Sequence, residues 1–222
     1  MMPYRLPRMT LAAGLTLLLA AGCASTRIAL KEKFGYAKRE QLVDRVQEAR
    51  DDQEEAKEQF NSALDQFLAV TRAQPSELES VYSRLNREYE KSIAQAADVR
   101  DRIKAVEQVA KALFEEWEDE LDEYSSDSLR RASEQQLEDT RTQYARLLGK
   151  MKQAEATMDP VLAAFKDQVL FLKHNLNAQA IASLQTNVAE LQSDVTRLIA
   201  EMEISIAEAN AFIEQMQGGE GS

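Results

Sequence analysis

What this 222-residue chain lacks narrows it first. It has one cysteine, Cys23, so no internal disulfide can form. Its one histidine is His174, and position 171 is Phe rather than the Glu that paired Glu-x-x-His ligation of a di-iron bundle needs. From Gln41 to Met216 there are only two prolines (Pro75 and Pro160), one glycine (Gly149) and no alternating β-branched run, so strands have no signal. A Gly-rich phosphate loop and a Gly-x-Ser-x-Gly elbow are also missing. Positive charge is scarce, with 27 Lys and Arg against 38 Asp and Glu and a net charge of −11. That balance argues against nucleic acid, whose phosphates call for a basic surface. No residue is assigned a catalytic, cofactor-binding or metal-ligating role, and the chain reads as a non-enzyme.

What is present starts with an apolar run, Leu11 to Gly22, behind Arg5 and Arg8. It is too short to span a bilayer, which takes about 20 apolar residues, and has the order of a secretion signal. Leu19-Ala20-Ala21-Gly22-Cys23 resembles the lipobox of bacterial lipoproteins, departing from it at Ala20, where family members usually carry Leu. The resemblance implies cleavage before Cys23 and acylation of its thiol and new amino terminus. The plain alternative is an ordinary cleaved signal that leaves Cys23 as a free thiol. Ala24 and Ser25 follow the cysteine, with no Asp in the first place. By the same resemblance that implies the outer membrane, with the body in the periplasm.

Loss of residues 1–22 removes Arg5 and Arg8 and no acid, leaving 25 basic and 38 acidic side chains. Arg27, Lys31, Lys33, Lys38 and Arg39 cluster just beyond the lipid site. They either pair with lipid phosphates, each worth about 1 kcal/mol at an anionic surface, or belong to a solvated tether. Gly35 argues against a rigid helix leaving the anchor, so residues 23–36 are expected to be a tether.

Beyond it, apolar residues recur at spacings of three and four. The first series is Leu42, Val46, Ala49, Gln53, Ala56, Phe60, Ala63, Phe67, Val70. The second runs from Leu78 through Leu85, Val99 and Ile103 to Trp117. The third repeats every seven residues as Leu137, Tyr144, Met151, Met158, Phe165, Leu172. The fourth runs from Ile181 to Met216. A sustained 3.5-residue period predicts long helices in coiled-coil-like packing.

Breaks bound four helices at about 37–73, 76–124, 128–174 and 178–216. Pro75 stops the first, and Ser76 with Glu79 forms a capping-box pair for the second. Asp127 is the expected N-cap of the third, and Pro160 is read as a kink within it. His174-Asn175-Leu176-Asn177 separates the third from the fourth. Near-equal helices joined by short turns predict an all-α, up-down antiparallel bundle over residues 37–217, with a flexible tail at 218–222. An open or dimeric arrangement, with self-association, stays open because the stripes are narrow. In an upright bundle the Pro75 turn and the 174–177 turn share the tip distant from the anchor.

Two segments stand out. Glu115, Glu116, Glu118, Asp119, Glu120, Asp122 and Glu123 crowd one helix C-terminus, where the macrodipole favours cations. They form either a divalent-cation or basic-partner patch or a solvated face, which Arg130 and Arg131 partly neutralise; they lack the spacing and turn glycine of a calcium loop. Trp117 within the run falls on the heptad seam and reads as core before ligand platform. At the tip, Pro75, His174, Asn175 and Asn177 are candidate partner contacts, with helix capping or solvent exposure the plain reading of His174.

Tyr36-Ala-Lys-Arg-Glu-Gln-Leu-Val-Asp-Arg-Val and Phe171-Leu-Lys-His-Asn-Leu-Asn-Ala-Gln-Ala-Ile resemble a family of proteobacterial lipoproteins known only as a domain of unknown function. The resemblance covers nearly all the mature chain, implies an envelope location and transfers no catalytic residue. The expectation is a non-enzymatic envelope lipoprotein, an elongated spacer or adaptor for protein partners. The alternative is a bundle that takes lipid or another apolar ligand along its seam, suggested by Tyr144, Phe165, Phe171, Leu172 and neighbouring methionines.

Overall fold

The computed structural model describes residues 22–218, which are helical apart from short turns. The helices are α1 (Gly22–Thr71), α2 (Leu78–Leu121), α3 (Asp127–His174), α4 (Ala178–Gln185) and α5 (Val188–Gly218). A 3₁₀ turn, Pro75–Glu77, leads into α2, and there is no strand among the described residues. Helix α1 packs on α2 and α5, and α3 packs on the same two. The four columns therefore close into a ring, with α4 and α5 stacked as the fourth. The expected up-down bundle forms, and it is closed rather than open.

The heptads explain the closure. Every member of the first series, Leu42 to Val70, is buried, at intervals alternating four and three. In α3, Thr140, Leu147, Ala154, Val161 and Val169 are buried between the sevenfold positions and complete the seam. Phe60 and Phe67 from α1, Phe165 from α3 and Phe212 from α5 supply the largest buried rings. A fully buried side chain of this kind contributes about 1.5–3 kcal/mol relative to leaving it in water, so the interior seam holds the rod together.

Four local expectations need correction. Helix α1 runs through Gly35 and residues 23–36, where a break was expected. One interior glycine costs about 1 kcal/mol, too little to stop a 50-residue helix. The reciprocal cap before α2 uses Gln74 and Glu77, not Ser76 and Glu79: the Glu77 carboxylate accepts the Gln74 backbone N–H at 3.3 Å. The N-cap of α3 is Ser126, whose hydroxyl accepts from the Leu129 N–H, while Asp127 becomes the first helical residue. The fourth helix is two, parted at Thr186 and Asn187. There the Thr186 hydroxyl donates to the Ser183 carbonyl at 2.7 Å, and the Thr186 and Asn187 amides tighten to partners three residues back. Ser, Thr and Asn side chains compete with the helical ladder in this way without proline or glycine. Pro160 does lie inside α3, as read from the series that passes through it.

The expected signal segment, 1–22, and the expected tail, 218–222, lie outside the described residues apart from Gly22 and Gly218. None of the described helices is long and apolar enough to cross a membrane.

Candidate functional site

The antiparallel columns give the bundle two ends of different chemistry. At the base, where α1 enters the bundle, the Lys38 ammonium pairs with Glu116 of α2 at 2.9 Å and reaches the Ala112 carbonyl at 3.4 Å. Arg39 donates to the Met216 carbonyl of α5 at 2.9 Å, so the first described side chains tie the ends of α1, α2 and α5 together. Two of the five basic residues that cluster after Cys23 are thus used within the bundle. An open groove of about 340 Å³ lies beside them, lined by Arg39, Glu40, Val43, Asp44, Met216 and Gln217.

The acidic run sits at this end and is divided among partners. Glu116 is held by Lys38, Glu118 by Arg141 of α3 at 2.7 Å, and Glu115 faces Lys111 at 3.8 Å. Glu120 and Glu123 are also engaged. Asp119, Asp122 and Glu123 are exposed. Arg130 pairs with Glu134 of its own helix, and Arg141, Lys38 and Lys111 neutralise part of the run. The Arg141 hydrogen bond holds the Glu118 carboxyl below its ordinary range, and Glu118 in turn holds the guanidinium charged. Among the described residues, no three His, Cys, Asp or Glu side chains converge in a geometry that holds a metal ion.

Behind these ions the base is aromatic. The Arg141 guanidinium lies 5.4 Å over the Phe114 ring, whose edge meets Tyr144 at a centroid distance of 5.4 Å. Burial, with a smaller contribution from Glu107, pushes the Tyr144 phenol up to about 12. Trp117 packs on the core and donates through its indole N–H to the Ser133 hydroxyl at 2.9 Å, which accords with its seam position.

The tip is built differently. Gln185 of α4 donates to the Thr71 carbonyl of α1 at 3.1 Å, so the Pro75 turn and the 174–187 segment meet as the topology requires. Two of the four candidate contacts there are structural. The Asn175 side chain donates to the Phe171 carbonyl at 2.9 Å, and the Asn177 side chain accepts the Ala180 N–H at 3.0 Å, capping α3 and α4 respectively. Pro75 and His174 are exposed.

The apolar surface beside them was not foreseen, Phe171 having been expected on the seam stripe and Leu170 and Leu176 not singled out. Leu170, Phe171 and Leu176 are exposed, and Phe171 lines an open groove of about 230 Å³ with Asp167, Gln168, Ser183, Leu184 and Asn187. Phe165 and Leu172 are fully buried and Tyr144 half-buried, so Phe171 does not share their stripe. Its position between sevenfold members 165 and 172 was the available signal: one residue before a seam position on a helix faces away from the core.

Residues 28–216 match the model of a family described as "Protein of unknown function (DUF2959)". The match spans most of the chain, which belongs to that family. No curated protein and no solved structure matches it.

Proposed function

We propose that this member of the DUF2959 family is a proteobacterial envelope lipoprotein, acylated at Cys23 and held at the outer membrane with its body in the periplasm. Its role in this reading is non-enzymatic: an elongated spacer or adaptor that presents its tip to a protein partner. One observation carries the reading. The chain enters the bundle at the Lys38–Glu116 end, and the closed antiparallel ring puts the Pro75 and Asn177 turns at the opposite end. Whatever holds Cys23 therefore holds the base. At 1.5 Å per residue the 44 residues of α2 and the 48 of α3 set the tip roughly 66–72 Å from the base.

The tip also carries the exposed apolar side chains that a partner surface uses, Leu170, Phe171 and Leu176 around His174. The basic residues nearest Cys23, Arg27, Lys31 and Lys33, suit lipid phosphates. The test is in-cell photocrosslinking from single positions. A photoreactive residue at Pro75 or His174 is expected to give a discrete protein adduct, and the same residue at Asp119 of the base is expected not to. Adducts equally frequent from both ends, or none from the tip, refute the spacer reading.

A further inference from the structure

Halfway along the rod the core changes character. Arg50 and Asn210 hydrogen-bond across the α1–α5 seam at 3.1 Å, and Lys57 feels the charge of Glu203 one step towards the tip. Gln53 and Ser205 therefore lie at one level. Both are fully buried, and neither the Gln53 amide oxygen and nitrogen nor the Ser205 hydroxyl has a hydrogen-bond partner. Buried amide and hydroxyl groups are almost always satisfied, because desolvation without a partner is costly.

On α1 the same level is poor in apolar bulk, whereas α5 brings Met202 and Ile206 and α3 brings Met158 and Val161 to it. Ala49 and Ala56 flank Gln53, Ala209 follows Ser205, and α2 contributes Ser92 and Ala96, which lie near the Gln95–Asp52 contact between α2 and α1. On α1 larger side chains resume on either side, with Phe60 and Phe67 towards the tip and Leu42 towards the base. Arg100 of α2 pairs with Glu155 and Asp159 of α3, which brings Pro160 to this level as well. Proline removes one rung of the α3 ladder there.

The closing seam is also the least tied. Ion pairs join α1 to α2 (Arg102 with Glu48 and Asp52), α2 to α3 (Arg100, Lys152 and Arg141) and α3 to α5 (Arg146 with Glu208). Among the described residues no ion pair within 4 Å joins α1 to α5, and no turn connects these columns, which lie first and last in the chain.

We infer that this waist is a built-in opening point, and that the bundle parts there along the α1–α5 seam, driven by the unmet hydrogen-bonding groups of Gln53 and Ser205. Parting hydrates both groups at once, and Ala49 and Ala56 beside Gln53 on α1 give up little apolar contact when it happens. The rod thus yields at its middle while both capped ends stay assembled. The apolar-ligand alternative requires such an opening, but the inference stands whether or not a ligand or a tip partner exists.

Hydrogen exchange read by mass spectrometry on the full-length protein tests it. Amides of residues 49–60 and 198–209 are expected to exchange at least 10-fold faster than those of α2 and α3 at the same level. Gln53→Leu, close in volume, is expected to slow that exchange about 10-fold, and Ser205→Ala several-fold. Ser92→Ala is the control: Ser92 is equally buried, but its hydroxyl donates to the Glu88 carbonyl at 2.9 Å, so its loss is expected not to slow exchange. Should Gln53→Leu disturb packing, Ser205→Ala still decides, since it removes a hydroxyl and adds no bulk. Uniform exchange over the four columns overturns the inference. So does fast waist exchange that both variants leave unchanged or that Ser92→Ala slows as strongly.

Discussion

Tyr144 shows how one side chain couples the base to solvent pH. Its ring meets Phe114 edge-on, and burial holds the phenol at about 12 against an ordinary value near 10. The neutral form is thus favoured in the folded state. Its contribution is whole below about pH 10 and is lost as pH rises towards 12, because the unfolded chain sheds the proton first. One pKa unit corresponds to about 1.4 kcal/mol, so at most about 3 kcal/mol is at stake on the alkaline side. Tyr144→Phe is expected to match the parent protein at pH 7 and to lose less stability between pH 10 and 12. Denaturant melts across that range check it, and parallel alkaline limbs for the two proteins refute it. Glu88 works in the opposite sense. Lys91 above all, with help from Gln59 and Ser62, holds its carboxyl low against the opposing effect of burial. Its contribution is therefore present above the ordinary carboxylate range and lost as pH falls through the lowered value. Glu88→Gln is expected to cost about 1–2 kcal/mol at pH 7, with the difference from the parent vanishing near pH 3 in the same melts. The seam membership of Tyr144 was legible as a heptad position. The Arg141–Glu118 pair was not, because it joins α2 to α3 across 23 positions of sequence whose local pattern says nothing of it.

At the scale of elements, helix ends separate what a pattern can reveal from what geometry decides. The stretch Ser125-Ser126-Asp127-Ser128 offers several capping side chains, and each suits a start one residue apart. Only the backbone decides: Ser126 is extended at φ −102° and ψ 115°, the conformation in which its hydroxyl meets the Leu129 N–H. Ser126→Ala is therefore expected to cost about 1 kcal/mol and to speed amide exchange in the first turn of α3, with Asp127→Ala costing less. Equal effects would return the cap to Asp127. Asn177→Ala is expected to fray α4 alone, since its side chain accepts from Ala180 within that helix. The long helices were readable because a strict alternation of four and three recurs over many turns and one misplaced residue cannot erase it. The split between α4 and α5 was not, since it rests on Thr186 and Asn187 diverting backbone partners, and those residues also occur in helices. Gly35 misled for the converse reason: a local penalty of about 1 kcal/mol is real but is outweighed in a long helix.

At the scale of the whole molecule, the location rests on one sulfur atom. Cys23 is the only cysteine, so thiol chemistry on the intact protein reports on that position and nowhere else. If the thiol carries an acyl chain, protein extracted from envelopes in detergent and fully denatured is expected to take up no maleimide and to run heavier than its cleaved polypeptide by the mass of the lipid. Globomycin, which blocks lipoprotein signal cleavage, is expected to raise the precursor and deplete the mature form. An ordinary secreted protein would behave otherwise, binding one maleimide per chain and ignoring globomycin. The consequence extends to the tip. With no lipid on Cys23, the base has no fixed surface, and the roughly 75 Å that the 50 residues of α1 span no longer measures reach from a membrane. Labelling of the denatured native protein therefore decides between a rod that projects its Pro75–Asn177 end into the periplasm and a free bundle whose two ends are equivalent in access.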